Sequence, residues 1–376
     1  MPLLDPADPR PVHFVGIAGA GMRALAELYA RRGVAVSGCD AAPGEVDDLR
    51  ALGIAVLAGH DPAHVDGARA LVVSSAVPRT HPELVRAGEL GLPVIRRAEA
   101  LGEATAGGEL VAVAGTHGKS TTTVMATAAM VAAGLDPTAL VGARVRNWNG
   151  NLRAGGTTLY VVEADEYDRS FLALAPTVAV ITNVEADHLD IYRDLADIRD
   201  AFVRFARGAR AVVLSADDEQ ASTLPLPASC EVVRFGVRST AARLTASDVT
   251  LADGGSRFDV RFDRVRVGTV PLRVPGLHNV QRRGAALPAG GGRAGGDRGG
   301  RLRAPSHRDR GDDRRRPPGL SGAPARCGLP AAPLDGGLPL AAQPRAAPEA
   351  GRAGVECAAE IVGAAESAAN LGAGPL

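Results

Sequence analysis

GTHGKS, Gly115 to Ser120, holds the only lysine in this chain of 376 residues; the other 41 of its 42 Lys+Arg residues are arginine. A chain rich in Ala, Gly, Arg and Pro reads as the product of a GC-rich gene, in which arginine codons come easily, so a lone lysine marks a chemical requirement. An ammonium is a compact point charge on a thin stem and can enter a ring of backbone amides around a phosphate, where a flat guanidinium fork fits poorly. Leu110 to Ala114 (LVAVA) ahead of it is an apolar run of the buried parallel-strand kind, and Thr121 to Ala133 behind it has the composition of a packed helix ending at Gly134. Strand, glycine loop, lysine, hydroxyl and helix in that order aim amides and a positive helix end at an anion. Lys119 would hold the β- and γ-phosphates of a nucleotide and the Ser120 hydroxyl would ligate Mg²⁺. The full P-loop pattern asks for glycine at 113, where this chain has Val113.

Strand and helix signals alternate on both sides of the loop. Val12 to Ile17, Val34 to Asp40, Ile54 to Leu57, Ala70 to Ser74 and Pro93 to Ile95 read as strands of a doubly wound sheet, with a helix over Met22 to Arg32. Leu101 to Glu109 reads as a linker. Further strands are expected at Leu159 to Glu163, Val178 to Thr182 and Ala211 to Leu214, and from Cys230 to Val274 the period changes to the alternation of antiparallel hairpins. The expected fold is α/β: a Rossmann-like domain over residues 1–100, a P-loop-type central domain with appended hairpins over 110–275, and a low-complexity segment over 276–376 that is not a folded third domain. From Arg282 onward Phe, Tyr, Trp, Met, Thr and Lys are absent, a composition that cannot fill a core with well-shaped side chains.

Composition excludes some function classes. The formal net charge is zero, so no global field favours nucleic acid or an anionic membrane. An RNA-binding role for the Arg/Gly segment is opposed by its lack of aromatics and by Asp297, Asp309, Asp312 and Asp313. No stretch approaches about 18 consecutive apolar residues, and the amino terminus has no apolar core of signal-peptide length, so a cytoplasmic protein is expected. Cys39, Cys230, Cys327 and Cys357 form no C-x-x-C pair, which speaks for a reducing compartment and against a structural metal site.

Three further stretches carry chemistry. GIAGAGM, Gly16 to Met22, with Asp40 ending the next strand, resembles a dinucleotide fingerprint, but Ala18 stands at its second glycine; a nicotinamide-dependent dehydrogenase is the reading it would support, and the P-loop would then go unexplained. EADEYDRSF, Glu163 to Phe171, concentrates Glu163, Asp165, Glu166 and Asp168 at the end of a strand, where Mg²⁺ ligands belong. TNVEADHLD, Thr182 to Asp190, repeats the arrangement with His188 between Asp187 and Asp190. Three strand termini are thus expected to converge on one phosphate site.

In this order and spacing AGTHGKSTTT, VVEADEYDRSF, ITNVEADHLD and GLHN resemble the Mur ligases of peptidoglycan synthesis, over about residues 12–281. The segments GIAGAGM, LVVSSAVP and VIRRAEAL are most similar to the branch that adds L-alanine. The resemblance implies a three-domain cytoplasmic enzyme that joins L-alanine to the carboxylate of UDP-N-acetylmuramate with ATP and Mg²⁺, through an acyl phosphate. The recycling ligase that attaches a preformed peptide to the same UDP-sugar is the alternative within the family. Carried over by position, Gly115, Thr116, His117, Gly118, Lys119, Ser120 and Thr121 would form the ATP loop, Ser120 standing where the family usually has threonine. Glu163 would ligate the Mg²⁺ between the phosphates and His188 a second one. Asn183 would line the site and Asn279 would sit near the adenosine. Gly16, Gly19, Ala20, Gly21, Asp40, Ser74, Ser75 and Ala76 would face the UDP-sugar. After GLHN the family continues with a second asparagine and a third domain, whereas this chain has Arg282 and no legible third domain. A divergent, disordered tail or a frameshift near codon 281 would produce this change. Little or no ligation by the chain as it stands, and a protease-resistant core ending near residue 280, are the expected consequences.

Overall fold

The computed structural model describes residues 3–252, 254–273 and 276–286. The first sheet is built from β1 (Val12–Val15), α1 (Ala20–Arg31), β2 (Val36–Asp40), α2 (Asp47–Ala51), β3 (Ala55–Ala58), β4 (Ala70–Val73), α3 (Pro82–Glu89), β5 (Val94–Arg96) and α4 (Arg97–Thr105). Its strands lie in the order β3-β2-β1-β4-β5 and pair in parallel, as strands joined by helical crossovers must. Alternation along β1 sorts its side chains between two layers: Val12 and Phe14 pack with Met22, Leu25 and Leu28 of α1, and Val15 packs with Val65 and Ala87.

The second sheet contains β6 (Glu109–Ala114), β7 (Thr138–Val145), β8 (Gly150–Arg153), β9 (Leu159–Glu163), β10 (Val178–Ile181), β11 (Ala211–Ser215), β12 (Glu231–Gly236), β13 (Leu244–Ala252), β14 (Gly255–Phe262) and β15 (Val265–Leu272). Helices α5 (Lys119–Ala132), α6 (Leu195–Ala206), α7 (Glu219–Ser222) and α8 (Leu277–Ala286) join or follow them. The strand order is β15-β14-β13-β12-β11-β10-β6-β9-β7-β8. β6, the strand ahead of the lone lysine, therefore lies between β10 and β9, with Val113 opposite Glu163 and Ala114 opposite Ile181. That register ends three neighbouring strands at one level. The expected architecture, a Rossmann-like sheet followed by a P-loop-type sheet with appended antiparallel strands, is the one the chain adopts.

Three local expectations are corrected. The segment read as a linker is largely α4, whose Ala100, Leu101, Ala104 and Thr105 are buried; its glycines hid an apolar face. Of the strands after Cys230, β12 continues the parallel sheet on β11, and only β13, β14 and β15 pair antiparallel. Residues 277–286, placed by composition in the low-complexity segment, form α8, which packs against α5 and buries Val280 completely. The remainder of that segment, residues 287–376, lies outside the described residues. Among those described, no helix is long and apolar enough to cross a membrane.

Candidate functional site

The loop between β6 and α5 is shaped by two glycines. Gly115 has φ +138°, and a Cβ there would lie 2.0 Å from Thr182 Oγ1. Gly118 caps α5 at φ +85°, in the left-handed region that glycine occupies freely. The neighbouring strand end then ties the loop down. Asn183 Oδ1 accepts from the His117 N–H at 2.8 Å and its Nδ2 donates to the His117 carbonyl at 3.0 Å. Thr182 Oγ1 donates to the same carbonyl at 2.8 Å, and the Glu185 N–H donates to Thr116 Oγ1 at 2.9 Å.

Lys119, first in α5, folds back over this loop. Its Nζ donates to the Gly115 carbonyl at 2.9 Å and to Glu166 Oε1 at 2.8 Å. Ser120 Oγ donates to the Glu163 carboxylate, 2.9 Å from each oxygen, and the Gly142 N–H donates to Glu163 Oε2 at 2.6 Å. Glu166 is buried at 3% exposure, and its Oε2 has no hydrogen-bond partner. Burial pushes its carboxyl above the ordinary carboxylate value, with Lys119 working against that rise. His188, at φ +52°, brings Nε2 to 3.8 Å from Glu166 Oε1. Lys119 and His188 thus approach the same oxygen of Glu166, Ser120 and Glu163 pair beside them, and Asn183 holds the loop from its other side; the sequence shows Glu166 only as one member of an acidic run. Burial singles out Glu166; Asp168, from the same run, turns away to pair with Arg96 at 2.9 Å.

The glycine turn after β1 hangs on β2. The Gly16 and Ile17 N–H groups donate to the Cys39 carbonyl at 2.8 and 3.0 Å, and Asp40 Oδ2 accepts from the Ala18 N–H at 3.1 Å. Asp40 is thereby engaged in holding the turn. α1 starts beyond it with Gly19 as cap, no side-chain acceptor on its first N–H groups and no acid in its first turn, the arrangement that leaves a helix start open to an anion. A cavity of about 290 Å³ runs from Gly16, Gly19, Ala20, Gly21 and Ser74 to Glu163 and Asp165, with Arg97 in its wall. A second cavity, about 300 Å³, is bordered by His117, Asn183, Asp217, Arg238, His278 and Arg282.

Some expected site residues fall elsewhere. Ser75 lines a separate cavity with Arg96 and Asp168. Ala76 is exposed and gives its N–H to Ser74 Oγ at 3.1 Å. Thr121 is exposed on the first turn of α5. Asn279 does not line the second cavity; its neighbours His278, Gln281 and Arg282 do, and Asn279 Oδ1 accepts from Arg282 Nη1 at 3.1 Å. Arg282 itself lies on the loop, since a Cβ on Gly118 would be 2.5 Å from its Nε. In the sequence Arg282 marks only the point where the family pattern stops.

A phosphate-type loop at the end of a central parallel strand, set beside a Rossmann-like sheet whose glycine turn opens into the same cleft, defines a two-sheet α/β protein of the P-loop kind. Comparison with known families makes the assignment specific. Residues 11–108 match the Mur ligase family, catalytic domain, and residues 113–289 match the Mur ligase middle domain. The chain belongs to the Mur ligase family. Among curated relatives, the UDP-N-acetylmuramate--L-alanine ligase of Acidothermus cellulolyticus is 46% identical over 281 residues, covering 73% of this chain and 59% of the relative. The enzyme of the same name from Burkholderia cenocepacia is 43% identical over 286 residues, covering 73% and 60%. This chain thus spans about 60% of the length of the curated relatives it matches. Among solved structures, the UDP-N-acetylmuramate:L-alanyl-gamma-D-glutamyl-meso-diaminopimelate ligase of Neisseria meningitides superposes with a TM-score of 0.68 at 31% identity, over 75% of this chain and 93% of that one. UDP-N-acetylmuramate-alanine ligase from Thermotoga maritima gives 0.63 at 30% identity, over 74% and 64%.

Proposed function

We infer that this chain carries the UDP-sugar and ATP sites of a cytoplasmic amide ligase that joins L-alanine to the carboxylate of UDP-N-acetylmuramate through an acyl phosphate. The observation that supports it most is the single cleft running from the glycine turn to Glu163 beside Lys119. A sugar diphosphate held at the start of α1 would direct its far carboxylate along that cleft to the loop where phosphate is transferred. The names of the curated relatives favour L-alanine as the partner.

The donor set suits Mg²⁺. Ser120 and Glu163 present hard oxygens, His188 adds an imidazole, and Glu166, paired through Oε1 with Lys119, keeps its Oε2 without a hydrogen-bond partner. Ser120 and Glu163 would hold one ion and His188 a second. Bound there, the ions would neutralise charge on the phosphoryl group in transfer. Lys119 would move from Glu166 to the phosphates, and the tethered loop amides would keep their orientation throughout, so that little reorganisation accompanies the reaction. The second cavity, between His117 and Arg282, is the place for the nucleoside of ATP.

Calorimetry with UDP-N-acetylmuramate, Mg²⁺·ATP and NAD⁺ tests this reading, followed by phosphate release with L-alanine or with the tripeptide. Binding of the first two ligands is expected, with L-alanine preferred wherever turnover is seen. NAD⁺ binding without ATP binding would instead revive a dehydrogenase, and preference for the tripeptide would move the chain to the recycling branch.

A further inference from the structure

Away from the cleft, on the layer of the first sheet covered by α3, lies a second cluster of reactive side chains. Glu83, the second residue of α3, is wholly buried. Its Oε2 accepts from Cys39 Sγ at 2.9 Å and lies 3.6 Å from His13 Nε2. Its Oε1 lies 3.0 Å from His64 Nδ1 and 3.8 Å from His60 Nδ1. Cys39 Sγ is 3.3 Å from His60 Nδ1. His13 is also wholly buried; its Nδ1 shares a 2.9 Å hydrogen bond with Ser37 Oγ, and its Nε2 has no hydrogen-bond partner. None of these groups has a part in the reaction inferred above.

We propose that His13 Nε2, Cys39 Sγ, the Glu83 carboxylate and His60 Nδ1 form a binding site for a thiophilic divalent cation of the Zn²⁺ class. The three buried donors already lie within 4.8 Å of one another. Zinc bonds of about 2.0 Å to nitrogen and 2.3 Å to sulfur set tetrahedral ligands roughly 3.3–3.8 Å apart, close to the His13–Glu83 and Cys39–His60 separations. The shorter Cys39–Glu83 contact is a hydrogen bond that the cation replaces: the thiol proton leaves to solvent and a sulfur lone pair forms the bond to the metal. A hydrogen-bond network without metal is the competing explanation, and it leaves His13 Nε2 buried with no hydrogen-bond partner, Glu83 Oε2 lying 3.6 Å away. The Ser37 bond to Nδ1 fixes the ring with Nε2 aimed at the carboxylate, as the outer contact of a metal-bound histidine does. One thiol with two imidazoles selects against Mg²⁺. His60, at 28% exposure, provides the way in. The four ligands come from β1, β2, the loop after β3, and α3, so their spacing in the sequence gave no sign of a metal site. Because the Cys39 carbonyl holds the glycine turn, an occupied site would fix the end of β2 beneath that turn.

The test is titration of the chelator-treated full chain with Co²⁺, followed by its thiolate-to-metal charge-transfer absorption. One equivalent is expected to produce the band, Zn²⁺ to abolish it by displacement, and excess Mg²⁺ to leave it unchanged. Cys39→Ser should eliminate the band, while Cys230→Ser, Cys327→Ser and Cys357→Ser should retain it. His60→Ala, at the open edge of the cluster, should weaken Co²⁺ binding at least about tenfold. Absence of the band in folded wild-type protein, or its survival in Cys39→Ser, overturns the proposal. If Cys39→Ser fails to fold by circular dichroism, His60→Ala decides, and unchanged Co²⁺ affinity in that variant overturns it.

Discussion

Lys119 meets two oxygens within 3 Å, one of them the Glu166 carboxylate, a pairing that suits a slender cation. A guanidinium at the same place would have to spread its fork between the Gly115 carbonyl and the buried carboxylate, in a loop fixed on its other side by Asn183. Lys119→Arg is expected to weaken Mg²⁺·ATP binding by about tenfold or more, the worth of one charge-assisted hydrogen bond, and to leave UDP-sugar affinity unaltered. Calorimetry reads both, and wild-type ATP affinity in the variant would contradict the point-charge argument. Gly115 is constrained by the opposite effect, lack of room. Gly115→Ala would put a methyl group against Thr182 Oγ1 at a backbone angle that side chains rarely adopt, and should destabilise the fold by roughly 2–4 kcal/mol. Denaturant midpoints check this; a change under about 0.5 kcal/mol, the usual surface value, would mean that the loop relaxes freely.

Among the elements, α8 depends on an acid outside it. Asp217 accepts from the N–H groups of Val237, Arg238 and Ser239 and from Gln281 Nε2 at 3.1 Å. Burial would raise its pKa, but the donors of Val237, Gln281, Ser239 and Arg238 outweigh burial and hold it below the ordinary 3.8. A carboxyl lowered on folding contributes stability that is complete above its unfolded pKa and disappears as pH falls through the folded value. Asp217→Asn should therefore cost about 1–2 kcal/mol at pH 7, and the gap from wild type should close on acidification below the ordinary value. A gap independent of pH would assign the loss to packing alone. The elements legible in the sequence were those whose signal is local: apolar runs for β1, β6, β9 and β10, and glycines before a lysine for the loop. β7 and β8 passed unread because the outer half of β7 is exposed and carries Gly142 and Arg144, which breaks alternation. α4 and α8 were concealed by glycine and arginine content, and tertiary burial decided both. Of the site, the loop and the strand-end residues were readable as motifs, whereas choosing Glu166 from four neighbouring acids and placing Arg282 on Gly118 required the fold.

At the scale of the molecule the two sheets share one interior. A single cluster of buried side chains extends from Phe14 and Leu25 through Leu101 and Leu140 to Phe202 and Leu214, and α1 packs against both β7 and β8. The Arg32 guanidinium donates to the Ala104 carbonyl at 2.7 Å and to the Tyr160 hydroxyl. The described sheets should accordingly melt in one cooperative transition, with UDP-N-acetylmuramate and ATP each raising its midpoint. Scanning calorimetry checks this by comparing calorimetric with van't Hoff enthalpy, and two separable peaks would show the sheets to be independent. The position of α1 also limits how such proteins can be recombined. A chimera made by exchanging everything before residue 109 with a relative would transplant a helix without the β7–β8 hairpin against which it is fitted. Such exchanges should fold only when the hairpin travels with the helix, so that the heritable module is a discontinuous one, cut across the apparent boundary between the two sheets.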